Sequence, residues 1–523
     1  MTFKLSPTLL SHAFSISGFR SVVCLIACFA GGCTTPRLNA VDSFVSLDPA
    51  VRECLRAFEA DERRIKRAGV VDAQYRRIRG YPFLRTNRFT ASLTDRLNTF
   101  SATGAWIARL SELDSRGRAI EHLNLSADRS RFESDQVRLD RCRQLLTEQL
   151  ASDPVQVKEI RNRTRVPDNY QIWSRRLGLY PITSWFVLRG VERLQAREGA
   201  KFDQATKAQK FHSRQKFGLR STESLAPANI DEPAVAEDAL GVPKLSQQRL
   251  AELFRRHQPV WSIDVQTSDD LIGTVHYDGD GDGDGDRIDV STQTATVYTE
   301  LTYTRFKGEI LIQLNYTIWF PSRPKSGVFD ILGGYLDGIT WRVTLNSKTQ
   351  VLFADAMHNC GCYYMAFPSQ ALQKRDRNVR LEEPLWIPKV ISPDPASRAV
   401  IEVSSATHYI ENVYYAKEVQ IENPITVAAY DELRALATHG GGRKSMFSSE
   451  GIVTHSERGE RWLLWPMGIQ SAGAMRQQGH HPIAFVGRRH FDDPELIETY
   501  FDLAPAKGDG EFRYPPYFQS DEP

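Results

Sequence analysis

The clearest alternation of apolar and polar positions lies in the second half of the chain. Ile310, Ile312, Leu314, Tyr316, Ile318 and Phe320 fall on every second position, the period of a strand with one buried face. Val297, Thr299, Leu301 and Tyr303 predict the strand before it, with Lys307, Gly308 and Glu309 as the hairpin turn. Ile339, Trp341, Val343 and Leu345 predict another strand, turned by residues 346–349 into Val351, Leu352 and Phe353. Residues 483–486 read as a short buried strand, and residues 431–436 and 493–500 as helices packed on the sheet. The first half has the helical period instead. Cys54, Leu55, Phe58 and Ile65 form one stripe, which Gly69 ends. Trp106, Ile107, Leu110 and Leu113 form a second stripe, and Leu139, Leu145, Leu146 and Leu150 a third. The expected fold is α+β, a mainly helical N-terminal part followed by a β-rich antiparallel part with a few helices.

Composition changes divide the chain further. Residues 33–48 read as a tether and 49–199 as the helical domain. Residues 200–245 are polar, with few large apolar side chains, and read as a linker or an extended segment wrapping the body. The β-rich domain covers 246–505, opening with a helix over 246–257, and 506–523 is an extended tail. Of 523 residues, 41% are hydrophobic and 25% charged, so most of the chain is expected to fold.

The first 32 residues have a different character. Lys4 and Arg20 are their only charges; Ser21 to Ala30 are mostly apolar; Ala30, Gly31 and Gly32 then precede Cys33. The apolar run is too short to span a bilayer and reads as a removed export signal. Ala30, Gly31, Gly32 and Cys33 resemble the lipobox of bacterial lipoproteins, with Ala30 where that family usually has Leu. The resemblance implies cleavage before Cys33, acylation of that cysteine and a membrane anchor made of several acyl chains. Thr34 stands where an Asp would resemble an inner-membrane retention signal, so the implied location is the outer membrane, facing the periplasm. The whole chain has 66 Lys and Arg against 64 Asp and Glu, and loss of the signal leaves 64 of each. A near-neutral body gives no case for nucleic acid as a partner; the expected partners are the membrane and an envelope protein. Residues 52–88 hold 11 bases against 5 acids. The reading favoured there is helix faces ion-paired to acids elsewhere, over a surface facing anionic lipid.

Cys54, Cys142, Cys360 and Cys362 remain after the signal and Cys33 are set aside. An even count in an oxidising compartment suggests disulfides, and three pairings are open. Asp355, His358, Cys360 and Cys362 follow a predicted strand. In an extended chain His358, Cys360 and Cys362 would share a face, an imidazole and two sulfurs suited to Zn or Cu, or to a thiol nucleophile. The competing reading is structural thiols or a disulfide. His408, within a strand-like run, and His481 and His490, flanking residues 483–486, are the remaining partners for such a cluster; His490 with Asp492 is also a candidate pair near a helix start. Asp278, Asp280, Asp282 and Asp289 belong to an Asp–Gly run that aligns with a calcium loop, against the alternative of a solvated hairpin turn. Other signatures fail. Arg443 stands where a phosphate loop needs Gly, the Ser-x-x-Lys matches at Ser213 and Ser322 have no companions, and no His-Glu-x-x-His occurs. The expectation is an envelope lipoprotein with a binding or scaffolding body, the alternatives being a metal- or thiol-dependent hydrolase or a metal-binding protein.

Overall fold

The structure is a computed structural model that describes residues 48–125, 129–205, 214–220, 235–279, 287–377 and 381–505. Cys33, Asp280 and Asp282 lie outside these residues.

Helix α1 (Pro49–Ala68) starts where the Asp48 carboxylate accepts from the Ala50 N–H at 2.8 Å, with proline in the first turn. It ends at Gly69, whose φ of 71° suits glycine. Its stripe of Val51, Leu55, Phe58 and Ile65 is buried. An unexpected hairpin follows, β1 (Arg76–Ile78) and β2 (Tyr81–Thr86). All of β2 is buried, including Arg85, so it lacks the alternation that marks a strand. Helices α2 (Phe100–Leu125) and α3 (Arg129–Ala151) complete this layer over a core that includes Leu55, Phe58, Phe83, Trp106, Leu110 and Leu146. Cys54 and Cys142 form a disulfide between α1 and α3, and Cys360 and Cys362 are free thiols. Within the basic stretch, Arg64 pairs with Asp61 and Asp135, Arg77 with Glu121, and buried Arg85 with Asp114 and Glu121. Helices α4 (Pro154–Arg163), α5 (Ile172–Leu177) and α6 (Tyr180–Ala205) continue the helical part.

The polar segment 200–245 contributes β3 (Arg214–Gly218), so this part of it is an extended segment built into the body. Helix α7 (Gln247–His257) is capped by the Ser246 hydroxyl, which accepts from the Arg249 N–H at 3.1 Å. β3 pairs with β4 (Val260–Asp264) and β15 (Asn423–Pro424), and β4 with β13 (Arg398–Val403), which pairs with β14 (Ile410–Ala416). This gives a five-stranded mixed sheet in the order β14-β13-β4-β3-β15.

The larger sheet holds β7 (Thr296–Phe306), β8 (Glu309–Arg323), β9 (Gly334–Leu345), β10 (Val351–His358), β11 (Met365–Pro368) and β16 (Thr426–Ala429), in the order β11-β10-β9-β8-β7-β16. It is antiparallel except for β16. Lys307 (φ 51°) and Gly308 (φ 79°) make the two-residue turn between β7 and β8 and fix the register, with Phe306 opposite Glu309. The predicted apolar face packs against the smaller sheet: Ile312, Leu314 and Trp341 share a core with Trp261, Ile263 and Val403.

Three local expectations are corrected. Residues 483–486 are buried but form no strand. Gly487 (φ 93°) turns the chain there, the Ile483 N–H donates to the Arg489 carbonyl, and Pro482 bridges to His490. His408 lies in the turn between β13 and β14 rather than in a strand, with φ 52°. The C-terminal elements are shorter than read, a 3-10 turn at Tyr430–Arg434 and a helix at Leu496–Tyr500.

Candidate functional site

β7, β8, β9 and β10 bring a row of polar side chains into register on the face opposite the shared core. Glu300 lies opposite Asn315, Asn315 opposite Arg342 and Arg342 opposite Asp355. All four are buried. Directly opposed residues present their side chains on one face, so the row is continuous across four strands. Gln313 and Thr344 form the next rung, with the Gln313 amide donating to the Thr344 hydroxyl at 3.1 Å.

This polar face meets a cavity rather than open solvent. Glu300, Thr302, Gln313 and Arg342 line a space of about 960 Å³ from this face, and Tyr303, opposite Ile312 on the other face of β7, lines the same space at the strand edge. Arg109, Leu113 and Arg116, spaced three and four residues apart on α2, form the facing wall. β16 pairs with β7 only over Thr296–Thr299, so the edge of β7 beyond Thr299 has no strand partner on that side, and residues 299–303 of β7 line the cavity. Phe89 stacks on Tyr303 with centroids 5.3 Å apart, and the Arg109 guanidinium lies 6.0 Å from the Tyr303 ring centre. A second space of about 850 Å³ adjoins the first, since Gln74, Tyr75 and Asp492 line both.

Glu300 is the titratable group that stands out on this wall. Burial raises its carboxyl to about 7, and the nearby Asp431 adds to the rise. Gln74 donates to it at 2.5 Å. It therefore carries a proton for a substantial part of the time at neutral pH, as a general acid must. Arg342, by contrast, is fixed. It forks onto Asp355, with Nε 2.9 Å from Oδ1, and Tyr364 donates to the same carboxylate at 2.9 Å. Asp355 thus serves to hold Arg342 at the cavity.

The cluster expected around Cys360 does not assemble. Asp355 and His358 lie on opposite faces of β10, because they are three residues apart in a strand. β10 ends at His358, and the chain turns back through Gly361 (φ 87°), with the His358 N–H donating to the Cys362 carbonyl at 3.0 Å. His358, Cys360 and Cys362 therefore do not share a strand face. The Cys362 thiol is held well above its usual range, first by its hydrogen bond with Cys360 and then by burial, which disfavours the thiolate a nucleophile needs. His481 is buried against the Asn359 carbonyl at 3.2 Å, and burial together with Arg476 depresses it to about 3. His490 pairs with Asp168 at 3.2 Å, not with Asp492, which accepts from Arg88. Among the described residues no three His, Cys, Asp or Glu side chains group to hold a metal ion.

His358 and His408 belong to a different arrangement. His408 sits between Asp337 (2.8 Å) and Asp270 (3.5 Å), and Asp337 also faces His358 at 3.5 Å. Burial works against a charge on His408, but the two carboxylates outweigh it and raise the imidazole above its ordinary value. Its ring stacks flat on Phe320 at 3.9 Å. Leu336, Tyr363, Ala406 and His408 all have φ between 52° and 57°, so backbone strain gathers here. Neither cavity touches His358, His408, Cys360 or Cys362, so the chain of acids and imidazoles acts as a brace tying the β13–β14 turn to the large sheet. Of the calcium positions, Asp278 ends β5 (Thr274–Asp278) and Asp289 lies inside β6 (Arg287–Ser291) opposite His276. The described ends of the Asp–Gly run therefore belong to an antiparallel hairpin, with no helix on either side.

No protein-family model, curated protein or solved structure matches the chain.

The residues missed by sequence reasoning are Glu300, Tyr303, Gln313 and Arg342. The Lys307–Gly308 turn sets the β7–β8 register and so places Glu300 opposite Asn315, but the sequence does not tell what that face meets.

Proposed function

We propose that this chain is an envelope lipoprotein, anchored by lipid on Cys33, whose body binds a polar, hydroxyl-rich ligand between the large sheet and the helical layer. The observation that carries the binding half is the composition of the 960 Å³ cavity, which Glu300, Gln313 and Arg342 line together with the Phe89–Tyr303 stack at the edge of β7. Aromatic faces beside a few directed polar groups suit a ligand with apolar C–H faces and hydroxyl edges. The anchoring half rests on Ala30 to Cys33 and on the short apolar run before them.

Calorimetry with soluble disaccharide-peptide fragments of peptidoglycan tests the binding half, on a chain beginning at Thr34. Saturable binding that weakens about tenfold or more in Glu300→Ala and in Tyr303→Ala supports it. Absence of saturable heat, or binding untouched by both substitutions, overturns it. Incorporation of an alkyne-tagged fatty acid in cells, lost in Cys33→Ala, tests the anchor.

One observation favours hydrolysis of the same ligand as a second reading. The Glu300 carboxyl, raised to about 7 by burial, is placed on the cavity wall where it can protonate a leaving group. Fragment cleavage abolished in Glu300→Gln while binding persists would establish it; intact fragments after prolonged incubation would exclude it.

A further inference from the structure

Two stretches of chain far apart in sequence carry large apolar side chains that no described residue covers. α5 exposes Ile172, Trp173 and Leu177, and the turn after it exposes Leu179. α6 exposes Ile182, Trp185 and Phe186 on one side of its first turns. The second stretch is the short helical turn Arg461–Leu464 and the residue after it, exposing Trp462, Leu463 and Trp465. These are not grazing exposures: Trp173 is 60% accessible, Phe186 64% and Trp462 73%.

The two stretches are neighbours. The Gln171 N–H donates to the Gly468 carbonyl at 2.7 Å, and Arg175 Nε donates to the Met467 carbonyl at 2.8 Å. A Cβ on Gly178 would come within 2.4 Å of the Pro466 side chain, so the turn after α5 rests directly on the Trp465–Met467 turn. The apolar groups therefore form one surface built from two segments.

Its charge is mainly basic, with Glu192 the first acid after the α6 part. Residues 169–191 contain Arg175, Arg176 and Arg189 and no acid, and residues 461–469 contain Arg461 and no acid. Arg189 lies 4.7 Å from the Trp185 ring centre and Arg461 4.8 Å from that of Trp462, so the cations sit among the aromatic rings. Tryptophan with arginine at the edge of an apolar patch is the composition of a surface that enters the headgroup region of a bilayer. Among the described residues no helix is long and apolar enough to cross a membrane.

We infer that this surface docks on the face of an anionic lipid bilayer, with the tryptophans at headgroup depth and the arginines on lipid phosphates. A second copy of the chain is the less suitable occupant. A two-fold contact would bring one arginine-rimmed patch against another, where Arg175, Arg176, Arg189 and Arg461 outnumber Glu192. The inference does not depend on lipid at Cys33.

The test is vesicle flotation with the chain beginning at Thr34, which contains every described residue and lacks the acylation site. Co-flotation with phosphatidylethanolamine–phosphatidylglycerol vesicles, with a blue shift of tryptophan emission, is expected. The triple variant Trp173→Ser, Trp185→Ser, Trp462→Ser should weaken binding about tenfold or more. Arg176→Glu with Arg189→Glu should weaken binding to these vesicles more than to phosphatidylcholine alone. The substituted side chains project from the fold, and an unchanged circular dichroism melt certifies the variants. No co-flotation, or triple-variant binding equal to the parent, overturns the inference. So does a sedimentation dimer that the triple variant abolishes in the absence of vesicle binding. Loss of fatty-acid labelling at Cys33 with flotation intact would remove the lipid anchor and leave this surface standing.

Discussion

Glu300 takes up a proton when the chain folds, because burial raises its carboxyl from 4.5 to about 7. Below the lower value it is protonated in both states and has no effect on stability. Between the two values the folded state binds more protons, so stability falls as pH rises, and above about 7 the full penalty applies. Glu300→Gln is therefore expected to stabilise the protein by about 3 kcal/mol near pH 8 and to change little near pH 4. Urea unfolding at the two pH values checks this; an equal effect at both would show that the carboxyl is not held protonated. Nothing in the local sequence marks Glu300, since a glutamate in an alternating strand is expected to face water. The residues that do draw the eye, His358, Cys360 and Cys362, cluster in sequence only because a strand ends and a turn begins among them.

At the scale of elements, period and turn chemistry made β7, β8 and β9 legible, with the hairpin between the first two placed to the residue. Alternation reports that one face is apolar. It is silent on whether the polar face meets water or, as here, a second layer across a cavity. β2 was illegible for the opposite reason: Arg85 lies within a strand buried throughout, its charge matched by Asp114 and Glu121 from a helix that sequence cannot place. The cysteine count suggested disulfides without choosing partners, and the helical layer makes the choice by laying α1 against α3. The Cys54–Cys142 bond spans 88 residues. Replacing both cysteines by Ala is expected to lower stability by about 4 kcal/mol. The same shift in urea midpoint should appear when the parent protein is reduced; a reduced parent as stable as the oxidised one would show that the bond constrains little.

Over the whole molecule, the helical layer and the sheets are joined by buried charge as well as by apolar contact. Arg434 donates from Nε and Nη2 to Asp72 at 3.0 and 2.8 Å, although 362 residues separate them. Asp72→Asn leaves Arg434 buried and short of its main counter-ion, and is expected to cost about 3 kcal/mol or more. Far-ultraviolet signal and tryptophan emission should then move together to a lower melting temperature; separated transitions would show two independently folding parts. Long-range pairings of this kind leave no trace in local sequence, which is why the division into helical and β-rich parts was readable and their joining was not. The disulfide also has a mechanical meaning. A pull delivered at the N-terminal end of α1 would begin to unwind that helix. It could peel roughly one and a half turns before meeting Cys54. Beyond that point the load crosses to α3 and is shared by the cross-linked layer, so the helical layer would resist being unravelled from the start of α1.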